Sequence, residues 1–391
     1  MRRALIALSL LIVAAVVVAP AASAKVRQGP KGAAFYDPPG NAHGKHGTLI
    51  WARRQTGPDA IAGRRSHLIL YRSTGPDGKA NAVSGSVALP KGRAPKGGWP
   101  VITYAHGTTG SADACAPTRG YDAGTLVSYA YPLLKRWLKA GYAVVRTDYE
   151  GLGTPGVHAY LGGPTEGYSV LDAVRAARKV EPRLSKRFVI AGHSQGGHAA
   201  LFAASLAKTW TPELQLRGTV AFAPASHLSE QFPLTTQVGT PGGGLGGIIA
   251  LGLRAIDTAG LGVDVPALLT PEATAFYPQT ETECLDVLSG AGSWGGLPLN
   301  QIFRSGADLG PLVAAIDRND PENVKIRTPV RVEQGDADGT VFKSFTDQLV
   351  DEYEAKDVKV TYKVYPGVSH GGVVDAGASD ASKWIRGRFK K

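Results

Sequence analysis

Beyond its first two dozen residues the sequence has no apolar run of 18 residues, so no later segment reads as a membrane span. It has no G-X-Y period and no convincing internal repeat, which sets aside collagen and solenoid architectures. No run of Lys or Arg is long enough to form a binding arm, and no nucleic-acid motif occurs, although the formal net charge is +11. That excess reads as a soluble basic surface rather than as a device for anionic membranes or walls. Charged residues are 19% and hydrophobic residues 43%, both globular values, so disorder is excluded as the main state. Cysteine is nearly missing: only Cys115 and Cys284 occur. They form one disulfide or remain two buried thiols. Glycine, in contrast, is abundant at 50 residues, which implies many tight turns and Gly-rich loops.

The first 24 residues read as a secretory signal peptide. Arg2 and Arg3 make the positive start. Ala4 to Val18 is apolar apart from Ser9, and Ala22-Ser23-Ala24 is a small-x-small cleavage signal after Pro20. No Cys follows the apolar run, so a lipid anchor there is not expected. The expected destination is extracellular or the cell envelope, where the oxidising surroundings permit a Cys115–Cys284 disulfide. The twin arginines do not choose between export routes.

Residues 25–80 are Gly- and Pro-rich and predict an N-terminal arm followed by edge strands. The HGKH segment there holds His43 and His46 with no third ligand nearby, so no metal site is expected. From residue 81 a strand–helix alternation begins. Strands are predicted at Val83–Leu89, Val101–Tyr104, Ala143–Thr147, Phe188–Ala191, Thr219–Ala223, Val330–Glu333 and Val358–Val364. Leu133, Leu134, Trp137 and Leu138 share one helical face, with Gly141 as the stop. Val170, Leu171, Val174 and Ala177 repeat the pattern. Such alternation predicts an α/β fold with a mostly parallel sheet flanked by helices. Residues 81–228 and 326–391 would form that core. The stretch 229–325 shows no βα unit and is too long for a bare loop, so it predicts an inserted helical cap or lid. Its GTPGGGLGG run (239–247) reads as a hinge or access loop. No Gly-Lys-Ser/Thr follows it, which excludes a phosphate-binding P-loop.

The segment Phe188–Ala200 carries the chemistry. Gly192-His193-Ser194-Gln195-Gly196 matches G-x-S-x-G, with an apolar strand before it and a helical pattern after it. A strand turning sharply into a helix exposes the Ser194 hydroxyl, and the turn has no room for side chains at 192 and 196. A serine hydroxyl needs a base and an orienting carboxylate, in the chain order Ser, acid, His. Of the later histidines, His198 lies along the elbow helix and His227 opens the insertion. His370 follows the last strand in PGVSHGG, where a loop can bring a base to the sheet edge. For the acid, Asp336 and Asp338 both follow the strand in VRVEQGDADGTV. Asp338 holds the position aimed at the His loop, and Asp336 would brace the turn. EF-hand ligands for a Ca²⁺ reading of this pair are absent. An oxyanion hole needs two N–H donors: Gln195, after the nucleophile, and Thr108 in the loop HGTTG. His106 precedes the nucleophile and is expected to shape that loop. Gly151 to Gly156 matches G-x-G-x-x-G, but no helix opens after it, so a dinucleotide site is not expected.

Together YAHGTTG, TDYEGLGTPGVHAYL, GHSQGGHAA, GDADGTV and PGVSHGG resemble the secretory lipase family of α/β-hydrolases over roughly residues 80–390. The resemblance implies an α/β-hydrolase fold with a helical lid, a carboxylester hydrolase activity and a Ser194–Asp338–His370 triad. It implies Thr108 and Gln195 as oxyanion donors and a lid-side Cys115–Cys284 disulfide. Some family members carry an acidic side chain where this chain has Thr108, so acyl-pocket chemistry need not carry over. The expected substrate is a small-molecule or lipid ester, with transient contact to a lipid interface. No cofactor, metal or obligatory protein partner is expected. The same triad could serve an acyltransferase, a polyester depolymerase or a peptidase. A non-catalytic binding protein on this scaffold is the remote alternative.

Overall fold

The computed structural model describes residues 26–40, 44–56, 60–61, 65–120 and 125–390. The expected signal peptide, residues 1–24, and His43 lie outside them. Among the described residues nine strands build one sheet: β1 (Leu49–Gln55), β2 (Ser66–Thr74), β3 (Ala80–Ala88), β4 (Trp99–Ala105), β5 (Ala143–Glu150), β6 (Leu184–His193), β7 (Gln215–Phe222), β8 (Val330–Gly335) and β9 (Val360–Tyr365). Their spatial order is β1-β2-β3-β5-β4-β6-β7-β8-β9. The first three strands run as an antiparallel ribbon and join β5 antiparallel. From β5 onward every pairing is parallel, through β4, β6, β7, β8 and β9. This is an α/β-hydrolase fold.

The longer helices are α1 (Tyr131–Lys139), α2 (Gly163–Val180), α3 (Gln195–Trp210), α4 (Leu228–Thr235), α5 (Gly244–Thr258), α6 (Gly310–Asp317), α7 (Lys343–Ala355) and α8 (Ala378–Lys390). The apolar face read from the sequence on α1 is buried through Leu133, Leu134, Trp137 and Leu138. Gly141, at φ 92°, supplies the left-handed residue that ends this helix. One face of the sheet packs on α2 and α3 through Val101, Phe188, Ile190, Val170, Val174 and Ala200. The other packs on α1 and α8 through Ile102, Val189, Val220, Trp137 and Ile385. Each fully buried aliphatic side chain of this kind contributes about 1.5–3 kcal/mol.

All seven strands predicted from the sequence are present, most of them longer than predicted. Between β7 and β8 the chain is helical and has a core of its own, built from Leu251, Leu253, Val265, Leu288, Trp294 and Leu312. The Gly-rich run expected as a hinge or access loop divides: 239–243 is loop, whereas Gly244 opens α5. The glycines there serve close packing. A Cβ on Gly246 would lie 2.4 Å from the Trp294 carbonyl oxygen. Cys115 and Cys284 form a disulfide that ties this helical segment to the loop after β4. Among the described residues no helix is long and apolar enough to cross a membrane.

Candidate active site

Parallel pairing aligns the C-terminal ends of β4, β6, β7, β8 and β9 along one edge, and the loops leaving that edge carry the residues singled out above. At the end of β6 the chain enters the elbow. Ser194 has φ 58° and ψ −122°, a conformation that costs a non-glycine residue on the order of 1–3 kcal/mol. Ser194 N–H donates to the Phe222 carbonyl of β7 at 2.9 Å, which fixes the turn to the neighbouring strand. A Cβ on Gly192 would sit 1.9 Å from Gly196 O, and one on Gly196 2.0 Å from Ala105 O. Both glycines are therefore dictated by sterics, and the second brings the elbow against the loop leaving β4.

That loop holds His106, Gly107 and Thr108. Burial pushes the His106 imidazole down to about 4, so it is neutral, and its Nδ1–H donates to Gly107 O at 2.7 Å. Tyr149 hydroxyl donates to the His106 carbonyl at 2.8 Å. His106 thus shapes the loop, as its position in the sequence suggests. Thr108 is 8% exposed and its hydroxyl hydrogen-bonds the Tyr160 hydroxyl at 2.8 Å. Tyr160 and Ser194 line one and the same cavity.

Asp338 and His370 meet. Their loops leave β8 and β9, and His370 Nδ1 lies 2.7 Å from Asp338 Oδ2. Asp338 Oδ1 accepts the N–H groups of Thr340 and Val341 at 2.8 and 2.9 Å. Burial would raise this carboxyl, yet the bonds from His370, Thr340 and Val341 hold it below its ordinary range. Asp336 has the bracing position: its Oδ1 accepts from Gly367 N–H at 2.6 Å, joining the two loops. Among the described residues neither Ser194 Oγ nor His370 Nε2 has a hydrogen-bond partner. A nucleophile–base contact of this type is often long in a substrate-free site.

Two sets of residues escaped the sequence reading. His193, inside the elbow, bonds the His370 carbonyl through Nε2 at 2.9 Å and the Tyr129 hydroxyl through Nδ1 at 2.7 Å. Below the elbow, Glu166 is 1% exposed and accepts from Gln195 Nε2 at 2.6 Å, from Leu161 N–H at 3.0 Å and from His198 Nδ1 at 3.2 Å. Gln195 Nε2 also donates to His158 Nε2 at 2.9 Å, so the side chain of this expected oxyanion donor is tied on two sides. His198 Nε2 reaches the Asn319 carbonyl at 2.7 Å. Burial alone would lower this histidine, but Glu166 and that carbonyl outweigh it and raise it. With acceptors at both nitrogens its protonated form is favoured, and the residue links α3 to the end of the helical segment. No spacing rule finds these partners, because each comes from a distant part of the chain.

Above Ser194 lies a cavity of about 150 Å³. Its walls are Leu228 and Phe232 of α4, Leu245, Ile248, Ile249 and Leu253 of α5, and Leu312 and Ile316 of α6. No charged side chain lines it. Among the described residues no three His, Cys, Asp or Glu side chains cluster so as to hold a metal ion.

Comparison with known proteins agrees with this fold. The family model described as secretory lipase matches residues 120–262, which include the elbow. That segment, a little over a third of the chain, is similar to the secretory lipases. A probable inactive lipase of Mycobacterium tuberculosis (strain CDC 1551 / Oshkosh) is 26% identical over 385 residues, covering 91% of this chain and 81% of that protein. A secreted triacylglycerol lipase of Malassezia globosa is 31% identical over 206 residues, 50% of this chain but only 44% of the fungal protein's length. Among solved structures, the closed state of Candida antarctica lipase A superposes with a TM-score of 0.75 at 21% identity, covering 88% of this chain and 83% of that one. At that identity the likeness is one of fold. The chain is thus similar both to named lipases and to a protein named inactive, so its activity must be argued from its own residues.

Proposed function

We propose that this protein is an exported carboxylic ester hydrolase of the lipase or esterase type, acting through Ser194, His370 and Asp338. The observation that carries the reading is the conjunction of a strained, elbow-borne Ser194 with an apolar, uncharged cavity directly above it. The Asp338–His370 pair on adjoining loops supplies what a serine nucleophile needs. In this reading His370 Nε2 takes the Ser194 proton as Oγ attacks the ester carbonyl. The N–H groups of Thr108 and Gln195 hold the oxyanion, and the alcohol leaves with a proton from His370. Water, deprotonated by His370, then attacks the acyl-enzyme and frees the acid. Asp338 keeps the imidazole in the Nδ1–H form and stabilises it when protonated.

Residues 229–325 act as a cap whose underside takes the acyl chain, since a mostly apolar wall without charge suits a hydrocarbon. Leu234, Val238, Leu261 and Val287 are exposed on this segment and suit transient contact with a lipid surface. Cleavage after Ala24 is expected to accompany export.

One relative's name, inactive lipase, favours a second reading: a binding protein on the same scaffold. The test uses residues 25–391 and a Ser194→Ala variant on p-nitrophenyl esters from C2 to C16, with a fluorophosphonate probe. Hydrolysis by the wild type and a loss of at least about 10⁴-fold in the variant are expected. A folded wild type that neither turns over nor reacts with the probe would leave the binding reading in its place.

A further inference from the structure

His193 occupies the position between Gly192 and the nucleophile, and its side chain has no part in the proposed chemistry. It is 4% exposed, and both of its ring nitrogens are engaged. Nε2 lies 2.9 Å from the His370 carbonyl oxygen, and Nδ1 lies 2.7 Å from the Tyr129 hydroxyl. A carbonyl oxygen can only accept, so Nε2 must carry a proton. Burial, and the nearby His370 whose ring centroid is 4.6 Å away, push His193 down to about 3, so the ring is neutral and holds that proton alone. Nδ1 must then accept, and Tyr129 must donate. Burial pushes the Tyr129 hydroxyl up to about 12, which keeps its proton in place. The chain runs one way: Tyr129 O–H to His193 Nδ1, then His193 Nε2–H to the His370 carbonyl.

This arrangement fixes something that Asp338 cannot. Asp338 holds the His370 ring, whereas His193 holds the His370 backbone. Because His193 is the residue before Ser194, a single rigid ring spans from the nucleophile's backbone to the base's backbone. We infer that His193 and Tyr129 are positioning residues that set the separation of Ser194 and His370, with the His370 carbonyl selecting the Nε2–H tautomer of His193 and the Tyr129 hydroxyl supporting it by satisfying the Nδ1 lone pair. The inference rests on the triad assignment above. Without the Tyr129 hydroxyl, His193 can shift its proton to Nδ1. An Nε2 lone pair would then face the His370 carbonyl and push the loop away.

The test uses the variants Tyr129→Phe, His193→Leu and His193→Gln, with Ser194→Ala as control. Rates on p-nitrophenyl butyrate are normalised to sites titrated by a fluorophosphonate, which removes any misfolded fraction. His193→Leu is expected to lose about 10²-fold in kcat with KM within about twofold, the signature of a misplaced base. His193→Gln, whose amide can still donate to the carbonyl, should recover to within about tenfold of wild type, and Tyr129→Phe should lose about tenfold. Wild-type kcat in all three, or a Gln variant as impaired as Leu, would overturn the inference. A second readout needs no turnover. The ¹⁵N shifts of His193 should report the Nε2–H tautomer from pH 5 to 9 in the wild type and a tautomer mixture in Tyr129→Phe. An imidazolium or an Nδ1–H ring in the wild type would also overturn it. Residual hydrolysis by Ser194→Ala, in contrast, strikes at the triad assignment and leaves the tautomer result standing.

Discussion

The floor and the roof of this site are built on opposite principles. The floor comes from the sheet edge, and its polar side chains are pinned: Gln195 on two sides, His193 through both nitrogens, Asp338 through both oxygens. The roof comes from the helical segment between β7 and β8, and its wall over Ser194 is mostly aliphatic and aromatic, with Gln231, Thr235 and Asn319 as its polar members and no charge. A transition state that develops charge is stabilised by dipoles that do not need to reorganise, so the floor gains from being fixed. A hydrocarbon chain has no directional partner to find, so the roof need only be apolar and of the right shape. The glycines facing the site show the same division, although within the roof's own core Gly246 is as tightly packed as those of the elbow. On the floor a Cβ at Gly196 would lie 2.0 Å from backbone oxygen, whereas on the roof a Cβ at Gly252 meets nothing within 4 Å.

The sharpest way to break the comparison is therefore a methyl group in each place. Gly196→Ala must push Ala105 and His106 aside, since their carbonyl oxygens would lie 2.0 and 2.6 Å from the new carbon. It is expected to lose at least about 10³-fold in fluorophosphonate labelling rate or to fail to fold. Gly252→Ala should leave labelling unchanged. Equal effects from the two would deny that the floor is the tighter region. Next in size is the Cys115–Cys284 bridge, which joins floor to roof across 169 residues of chain. Leu285 N–H also donates to Thr109 O at 2.9 Å, beside the expected oxyanion donor. The double variant Cys115→Ala/Cys284→Ala should lower stability by about 2–4 kcal/mol in denaturant titration. A loss below about 1 kcal/mol would mean that packing alone holds the two regions together.

What could be read from the sequence follows the same line. The elbow was legible because sterics leave only glycine at 192 and 196, and His370 and Asp338 because loops after strands in a set order carry those roles. Strand β5 was read as ending at Thr147, but it continues to Glu150. Asp148 and Glu150 look like a loop in sequence, yet they are buried. Asp148 is tolerated there because the hydroxyls of Ser84 and Thr118 bond its carboxylate. Gly244 to Gly247 looked like loop for the converse reason: glycine usually breaks helices, but here it admits the backbone of Trp294 and Gly295 against α5. Edge strands were expected before residue 80 but not located, since Arg53, Arg54 and Arg72 interrupt their apolar pattern. Glu166, His198, Tyr129 and His193 carried no signal at all, because a buried polar group is explained only by its partner.

The roof's freedom can be sharpened by filling it. Gly252 lines the cavity with open space beside it, so Gly252→Phe should insert a ring into the acyl path without displacing backbone. The expected result is a loss of about tenfold or more in kcat/KM on C12–C16 esters, with C2–C4 esters changed by less than about threefold. Equal losses at all chain lengths would place the acyl path elsewhere.

The smallest expected effect on activity lies at the seam between the regions. Glu150 ends β5 and lines a second cavity with Asp77 and Asn81 on the core side and Ala255 and Thr258 of α5 on the other. Burial pushes its carboxyl up to about 7, and Asp77 adds to this, while Ala159 N–H and Asn81 oppose it. The folded chain therefore keeps a proton that the unfolded chain has already released once pH exceeds the ordinary carboxylate range. Stability must fall as pH rises from that range to about 7, and must level off above it. Glu150→Gln removes the titration, so its Tm relative to wild type should rise by a few degrees, about 2–6 °C, between pH 5 and pH 8. Hydrolysis of short esters should be unchanged, because Glu150 does not line the cavity above Ser194. If the Tm difference were instead constant with pH, Glu150 would be ionised throughout. The seam would then hold a buried carboxylate that the polar groups around it are sufficient to stabilise, and the rigid, fully partnered character of the floor would extend to the base of the roof.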